Sequence, residues 1–339
     1  MNRILRAVHK PRPSLELPAW LSLTTGVIVL GCLLYAPLIS APYANTQRAL
    51  VCVYAVVGLG LHLLTGMTGQ ISLGHGFFFA LGAYVSAVLA GTAGWPYLLA
   101  IPVAAAVGWG VGFVFGLPAL RLSPLSLSVV TLALALITPS LIKRFDDVTH
   151  GARGIALDIA APPAWTGLDR DQWVFYICLA VTTLTGVMCR LLSRGRTGRA
   201  MRGLRDNEAV ATTMGIRPST TKSFVFATST ALAAVAGVLY TYVTQFVAAD
   251  AFHLTLAIAF LTMVVVGGLG SLPGVILGAI FVVYMPSWTA EINESASGLM
   301  YGVALVAFMF LMPYGVAGLL RAVGGPLLQR REQRAGQQE

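Results

Sequence analysis

The sequence predicts an all-α integral membrane protein, a polytopic bundle of about ten (eight to ten) transmembrane helices with both termini in the cytoplasm. Of its 339 residues, 57% are hydrophobic and only 10% are charged, whereas soluble globular domains carry about 25% charged residues. The mean hydropathy of +0.78 agrees with this contrast. A soluble domain this apolar could not cover its surface with polar groups, so the lipid bilayer is the expected solvent.

Ten apolar runs approach the length of about 17–25 residues that a helix needs to cross the hydrocarbon core. They are residues 19–39, 49–64, 76–92, 96–117, 125–142, 173–193, 223–247, 254–270, 273–290 and 298–320. The first run is longer than the apolar core of a cleaved secretory signal. We therefore expect it to be retained as a transmembrane span.

The distribution of basic residues supports this topology. With a cytoplasmic N-terminus, the inner segments hold 17 of the 22 Lys and Arg residues, and the outer segments hold five of them with eight acidic residues. This asymmetry follows the positive-inside rule. Removing one span would place a basic cluster outside, but removing two together would not, so eight spans remain an alternative.

The same topology predicts the domain organisation. We expect a cytoplasmic tail at 1–18, a transmembrane domain at 19–320 and a second cytoplasmic tail at 321–339. The transmembrane domain includes a folded outer loop at 143–172, with a short helix at most, and a basic inner loop at 194–222.

Several classes of function do not fit the sequence. The net charge of +9 comes from clusters separated by apolar runs, not from a basic face interleaved with aromatic residues as in nucleic-acid-binding proteins. The four cysteines lie in or beside apolar runs without a CxxC pair, as buried small side chains do.

We predict no catalytic residues and no metal site, because the spans show neither a nucleophile–base pair nor a metal-binding cluster. Ion-coupled carriers usually place ionisable groups mid-membrane, and such groups are nearly absent here.

The inner loop contains a basic stretch that predicts one short helix over 202–215. Asp206, Asn207 and Glu208 suit its start, because carboxylate and amide side chains cap the positive end of a helix. Gly215 suits its end, and Pro218 prevents its continuation. Such a helix can rest on anionic lipid headgroups or dock on a protein. Its acidic residues favour a protein partner.

A second stretch, residues 64–84, places five glycines and five polar residues (Thr65, Thr68, Gln70, Ser72 and His75) between two apolar runs. It lacks the Gly-Lys-Ser/Thr of a phosphate-binding loop. Exposed to lipid, its backbone groups would lack partners at a cost of several kcal/mol each. We therefore expect it to be buried in protein or to line a water-filled cavity, as the broken helices of transporters do. Close helix packing through small residues is the alternative.

These stretches resemble a known family. Residues 195–216, GRTGRAMRGLRDNEAVATTMGI, are similar to the cytoplasmic coupling segment of branched-chain amino acid ABC transporter permeases of the LivM type. Residues 69–84 are similar to the family's GQ-SLGH-F-GAY signature, and Val266–Gly274 is similar to its glycine-rich turn between two late spans. The resemblance runs from about Leu50 to Pro313. In the outer loop, His150 and Arg153 depart from the family's TGG–GI turn.

The resemblance implies roles for two sets of residues. It implies docking on an ATPase for Arg202, Asp206, Asn207, Glu208, Ala211 and Gly215. It implies a place on the translocation pathway for Gly66, Gly69, Gln70, Ser72, Gly74 and His75, although a lone histidine such as His75 is more often structural.

The resemblance also implies partners and a location. We expect a permease in the bacterial inner membrane with no cofactor of its own. ATP would be bound by two ABC ATPase subunits, and a second, LivH-type permease would complete the pore. A periplasmic substrate-binding protein would deliver branched-chain amino acids, although related importers carry urea or short amides. A passive channel and a membrane scaffold are the remaining alternatives.

Overall fold

The computed structural model describes residues 31, 33–119, 124–157, 162–163, 166–292, 302–303, 306–308 and 315. Within these residues, eight helices are long and apolar enough to cross a membrane. They match eight of the ten predicted spans and confirm the all-α polytopic fold. The predicted spans 19–39 and 298–320 lie largely outside the described residues, and both terminal tails lie wholly outside. The number of ten spans and the cytoplasmic termini therefore remain predictions.

The helices of the bundle follow one another along the chain. They are α1 (Pro42–Leu61), α2 (His75–Ser86), α3 (Ala100–Ala119), α4 (Pro124–Arg144), α5 (Asp146–Thr149), α6 (Arg170–Arg194), α7 (Arg196–Asp206), α8 (Glu208–Thr213), α9 (Pro218–Thr244), α10 (Leu254–Gly267) and α11 (Leu272–Ile292). The π-helical segments His62–Met67 and Ala87–Thr92 extend α1 and α2, and the 3-10 turns Tyr97–Leu99 and Ala249–Ala251 precede α3 and α10. The two-residue strands β1 (Ile155–Ala156) and β2 (Phe246–Val247) pair antiparallel.

Helix α1 begins at Pro42, seven residues before the predicted span 49–64. The hydropathy pattern missed this first part because it contains the polar residues Asn45 and Gln47, which are buried in the bundle. The Asn45 amide donates to the Asp171 carboxylate on α6 at 2.8 Å. The Gln47 amide donates to Ser287 on α11 at 3.2 Å. Side chains that are hydrogen-bonded in this way can be buried without the full cost of losing water.

Helix α9 lies at the centre of the bundle and packs against α1, α2 and α3. Small residues allow these helices to approach closely, as in other membrane helix pairs. A Cβ atom on Gly82 of α2 would lie 1.9 Å from the carbonyl oxygen of Ala234, and one on Gly237 would lie 2.0 Å from that of Phe79. The contact between α2 and α9 therefore depends on the absence of a side chain at both positions.

The connections form two groups at opposite ends of the bundle. At one end, the loops predicted to be cytoplasmic meet where Arg205 contacts Gly66. At the other end, the loops predicted to be outside meet where β1 pairs with β2 and Lys143 pairs with Asp250. This grouping matches the predicted alternation of spans, and the two groups are called the inner and the outer end below.

The outer loop 143–172 contains the short helix α5, as expected, and also the strand β1, which the sequence did not predict. Strand β1 could not be recognised locally because its partner β2 follows the distant helix α9. His150 adopts a left-handed conformation with φ of 56°. It does so at a position where the resembled family often has glycine, the residue best suited to this conformation.

The described cysteines Cys52, Cys178 and Cys189 are buried and free, in agreement with their expected packing role. The described residues contain no cluster of three or more His, Cys, Asp or Glu side chains placed to hold a metal ion.

Replacing Gly237 by Ala should destabilise the bundle, because the added methyl group would overlap the backbone of α2. Overpacking of this kind costs about 1–3 kcal/mol. The expected result is a lower thermal midpoint of the purified protein in detergent. Gly110→Ala is the matched control, since a Cβ atom there meets nothing within 4 Å. Equal midpoints for the two variants would contradict the close-packing argument.

Candidate functional site

The basic part of the inner loop, residues 196–213, is called the inner segment. It forms two short helices, α7 and α8, that meet at Asn207. The prediction of one helix over 202–215 was therefore wrong in its extent, whereas the predicted cap among Asp206, Asn207 and Glu208 was right. Asn207 is extended, with φ of −160° and ψ of 110°, and its side-chain oxygen accepts hydrogen bonds from the backbone N–H groups of Ala209 and Val210 at 3.0 and 3.2 Å. This N-cap gives the first turn of α8 the acceptor that its free N–H groups need. The break follows because an N-cap residue is itself non-helical.

Helix α8 ends at a Schellman motif, as the glycine in the sequence predicted. Gly215 has φ of 82°, and its N–H group donates to Thr212 while that of Ile216 donates to Ala211. The motif also brings apolar groups together. Ile216 and Ala211 both lie beside Gly203 of α7. Ala211 is buried there, on the side of α8 that faces its own chain.

Helix α7 lies against the inner end of α6 with its apolar side buried. Met201 and Leu204 are buried, and a Cβ atom on Gly198 would lie 2.0 Å from the carbonyl oxygen of Ser193. The Arg202 guanidinium donates to that same oxygen at 3.1 Å. Carbonyl groups in the last turn of a helix lack partners within the helix, so Arg202 supplies a donor to the end of α6.

Arg205 joins α7 to the glycine-rich stretch. Its Nη1 donates to the carbonyl oxygen of Gly66 at 2.5 Å. Its aliphatic part lies so close to Gly69 that a Cβ atom there would be 3.3 Å from the Arg205 Cγ. Gly66 also packs against the backbone of Gly270, in the turn between α10 and α11. Arg205 therefore lies where three motifs singled out in the sequence meet: the basic segment and two glycine-rich turns.

The glycine-rich stretch is a broken helix that is largely buried in protein, as predicted. After the π-helical segment His62–Met67 the chain leaves helical geometry until His75. The hydroxyl of Ser128 donates to the carbonyl oxygen of Ile71 at 3.0 Å, and the N–H group of Leu73 donates to the Thr131 hydroxyl at 3.1 Å. Helix α4 thus provides the partners that a non-helical backbone needs inside a membrane protein.

Of the six predicted pathway residues, Gly66 and Gly69 lie next to Arg205 of α7, whereas Gly74 lies against Thr131 of α4. Gln70, Ser72 and His75 are buried, with at most 4% of their surface exposed. His75 shares a hydrogen bond with Ser229 of α9 at 2.6 Å, which places the histidine in a structural contact. The cavity between α2, α3 and α4, at the outer end of the bundle, is lined by none of the six.

Glu208 forms an ion pair with Lys222 near the start of α9, with 2.7 Å between the carboxylate oxygen and the ammonium nitrogen. The Lys222 side chain is only 10% exposed, whereas that of Glu208 is 51% exposed. A nearly buried ammonium group needs a counter-ion. Glu208 supplies it, so α8 is attached to the central helix of the bundle.

The outward side of the segment carries both charge and apolar surface. Asp206 is exposed at the end of α7. Val210 is 52% exposed and Met214 is 79% exposed. These two residues are four positions apart, so they lie on one face at the end of α8. Together they form a small apolar surface on the outward side of α8.

Sequence reasoning missed Arg205, Lys222 and the hydroxyl residues of α4. Arg205 is one of eight basic residues between 190 and 222, and nothing in its neighbourhood distinguishes it from the others. Lys222 was weakly indicated by the sequence, because a charged side chain at the start of an apolar span needs an acidic partner. Ser128 and Thr131 lie far along the chain from the backbone groups that they satisfy.

Comparison with known proteins identifies the family. The model of a family described as the permease component of the branched-chain amino acid transport system matches residues 48–312. The chain belongs to this family. The permease is 31% identical to the high-affinity branched-chain amino acid transport system permease protein LivM of Escherichia coli K12, over 80% of its own length and 69% of that protein's.

Two further relatives carry the name LivH. The permease is 24% identical to the E. coli K12 protein over 78% of its own length and 91% of that protein's. It is 28% identical to a probable branched-chain amino acid transport permease of Methanocaldococcus jannaschii over 78% and 88% of the two chains. No solved structure matches the permease. Its family and the eight apolar helices within the described residues make it a multi-pass protein of the inner membrane.

Replacing Glu208 by Lys should loosen α8, because it puts two ammonium groups where an ion pair now holds the helix to α9. Breaking a buried pair costs about 3–5 kcal/mol. Because Glu208 is half exposed, we expect the free energy that holds α8 against α9 to fall by a smaller amount, about 1–3 kcal/mol. Hydrogen exchange of the amides in 208–213 should become faster.

Two further variants test whether the ion pair is the cause. The charge swap Glu208→Lys with Lys222→Glu should restore part of the protection. Asp206→Lys makes the same charge change two residues away and should leave exchange in 208–213 nearly unchanged. Equal acceleration in the Glu208 and Asp206 variants would contradict the role of the ion pair.

Proposed function

We propose that the permease translocates branched-chain amino acids across the inner membrane as the pore subunit of an ATP-driven importer. The proposal is supported by the family to which it belongs and by the names of its relatives, which are branched-chain amino acid transport permeases. Few ionisable groups lie within its spans, so an external source of energy suits it better than an ion gradient.

The observation that carries this proposal is the contact between Arg205 and the carbonyl oxygen of Gly66. It attaches the inner segment to the end of α1. Two other polar contacts attach the segment to α6, through Arg202, and to α9, through Glu208. A force applied to α8 would therefore act on three spans at once, which is what a separate motor needs in order to move a pore.

We place the ATPase against the outward face of α8, with Val210 and Met214 as its apolar contacts and Asp206 as a polar neighbour. The predicted docking residues then have distinct tasks. Asn207 and Gly215 define the two ends of α8, and Ala211 packs it against α7. Arg202 and Glu208 fasten the segment to the bundle.

The glycine-rich stretch forms the inner end of the translocation pathway in this proposal. Its turns lie against Arg205 and the turn at Gly270. They would therefore shift when the segment moves and would open or close the inner side of the pore. The alternating access of transporters requires a movable constriction of this kind.

The proposed assembly contains four further subunits besides the permease. Two ABC ATPase subunits bind ATP, and a second homologous permease of the LivH type completes the pore. A periplasmic binding protein delivers the solute to the outer loops. The permease itself needs no cofactor for this work.

The test replaces Val210 and Met214 together by Asp in the reconstituted importer. Burial of a Val or Met side chain contributes about 1.5–3 kcal/mol, so losing both contacts should weaken ATPase binding at least about tenfold. ATP-dependent uptake of leucine into proteoliposomes should fall with it. Thr212→Asp, on the other side of α8, is the matched control and should leave uptake unchanged.

Three results would contradict the proposal. Leucine uptake at the normal rate without ATP would identify a passive facilitator. Normal ATPase binding to the double variant would show that α8 does not form the docking surface. Absence of uptake by an importer with all its subunits would leave a scaffold role as the better explanation.

A further inference from the structure

A large apolar cavity lies towards the outer end of the bundle, between α2, α3 and α4, with α5 at its edge. Its volume is about 570 Å³, which is within the range of about 300–1,000 Å³ typical of small-molecule sites. The aliphatic side chains that line it include Leu81 and Val85 of α2, Val88 of the π-helical segment that extends α2, and Val103 and Val107 of α3. Such walls favour a ligand with a branched hydrocarbon group.

One polar group at the cavity lacks a partner. Tyr84 lines the cavity and is 7% exposed, and its buried hydroxyl forms no hydrogen bond with the described residues. The two threonines of the lining are different, because Thr138 donates to Leu134 and Thr149 donates to Ile142. Buried hydroxyl groups usually have partners. The Tyr84 hydroxyl is therefore available to a bound molecule.

A pair of opposite charges lies near Tyr84 at the edge of the cavity. The Lys143 ammonium and the Asp250 carboxylate are 3.1 Å apart, and their side chains are 48% and 70% exposed. Lys143 directly follows Leu141 and Ile142, which line the cavity. The Tyr84 ring packs against the ring of Phe252, two residues after Asp250, with 6.0 Å between the ring centres. An exposed ion pair is weak, so either group can turn to a new partner.

We propose that this cavity binds the side chain of an aliphatic amino acid, whose ammonium group pairs with Asp250 and whose carboxylate pairs with Lys143. The inference rests on the proposed function and adds the solute's position and class. One carboxylate and one ammonium at the edge match the two charges of a zwitterion, and the lining matches its hydrocarbon side chain. Urea and short amides do not fit, because they have no hydrocarbon group to fill a cavity lined in this way.

The test uses a photoreactive diazirine analogue of leucine as the probe. In the reconstituted importer it should label peptides from α2 or from the part of α4 near Thr138, and excess leucine should suppress this labelling while urea should not. Val103→Trp should fill the cavity and lower the labelling about tenfold. Val114→Trp is the matched control, since Val114 lies on the same helix but is 65% exposed and outside the lining.

The charged pair is tested with Asp250→Asn and Lys143→Met, which should each reduce labelling severalfold. Asp147→Asn is the control for loss of a nearby acid. Labelling that Val103→Trp does not reduce would overturn the proposal. Release of a copurified phospholipid by Val103→Trp, without an effect on labelling, would also overturn it by identifying an acyl chain as the occupant.

Uptake of leucine by the unmodified importer shows whether a negative labelling result contradicts the cavity assignment or the proposed function. ATP-driven uptake together with labelling elsewhere in the chain would overturn the cavity assignment and leave the importer intact. If the unmodified importer shows no ATP-driven uptake, the proposed function itself fails.

Discussion

A carbonyl group at the end of a helix needs a donor from elsewhere when no water can reach it. In this permease the guanidinium of Arg205 donates to the carbonyl oxygen of the buried Gly66, in the π-helical segment that extends α1. A positive charge also suits the negative end of a helix. The donor belongs to the segment between α6 and α9, so one hydrogen bond fixes how that segment lies against the broken helix. The position of α4 is set similarly, because Ser128 and Thr131 satisfy the next backbone groups.

The two ends of the permease are connected through closely packed helices. Glu208 holds α8 to Lys222 on α9, and α9 contacts α2 through Gly82 and Gly237 without intervening side chains. Helix α2 also carries Tyr84 at the outer cavity. Helices in such close contact move as units rather than bending locally. A shift of the inner segment therefore has a direct structural route to the cavity.

The sequence was sufficient for the fold but only partly sufficient for the site. Apolar length and the charge pattern located all eight described spans, because the bilayer imposes a simple rule on both. Local rules also identified Gly215 as the end of α8. They also placed the start of that helix at Asp206, Asn207 and Glu208, where Asn207 is the cap. They did not show that a separate helix, α7, ends directly before this cap. Arg205 and Lys222 act through partners far along the chain, and no local pattern reports such contacts.

The claim that the inner segment moves together with the glycine-rich turns can be tested with spin labels at exposed positions. Labels at Thr212 and Leu269 report on the segment and the inner turn, and labels at Thr212 and Val148 span the two ends of the bundle. Between the nucleotide-free and ATP-bound importer, the Thr212–Leu269 distance should stay constant while the Thr212–Val148 distance changes. Arg205→Gln should broaden the distribution of Thr212–Leu269 distances. A Thr212–Leu269 distance that changes with nucleotide when Arg205 is intact would contradict the account.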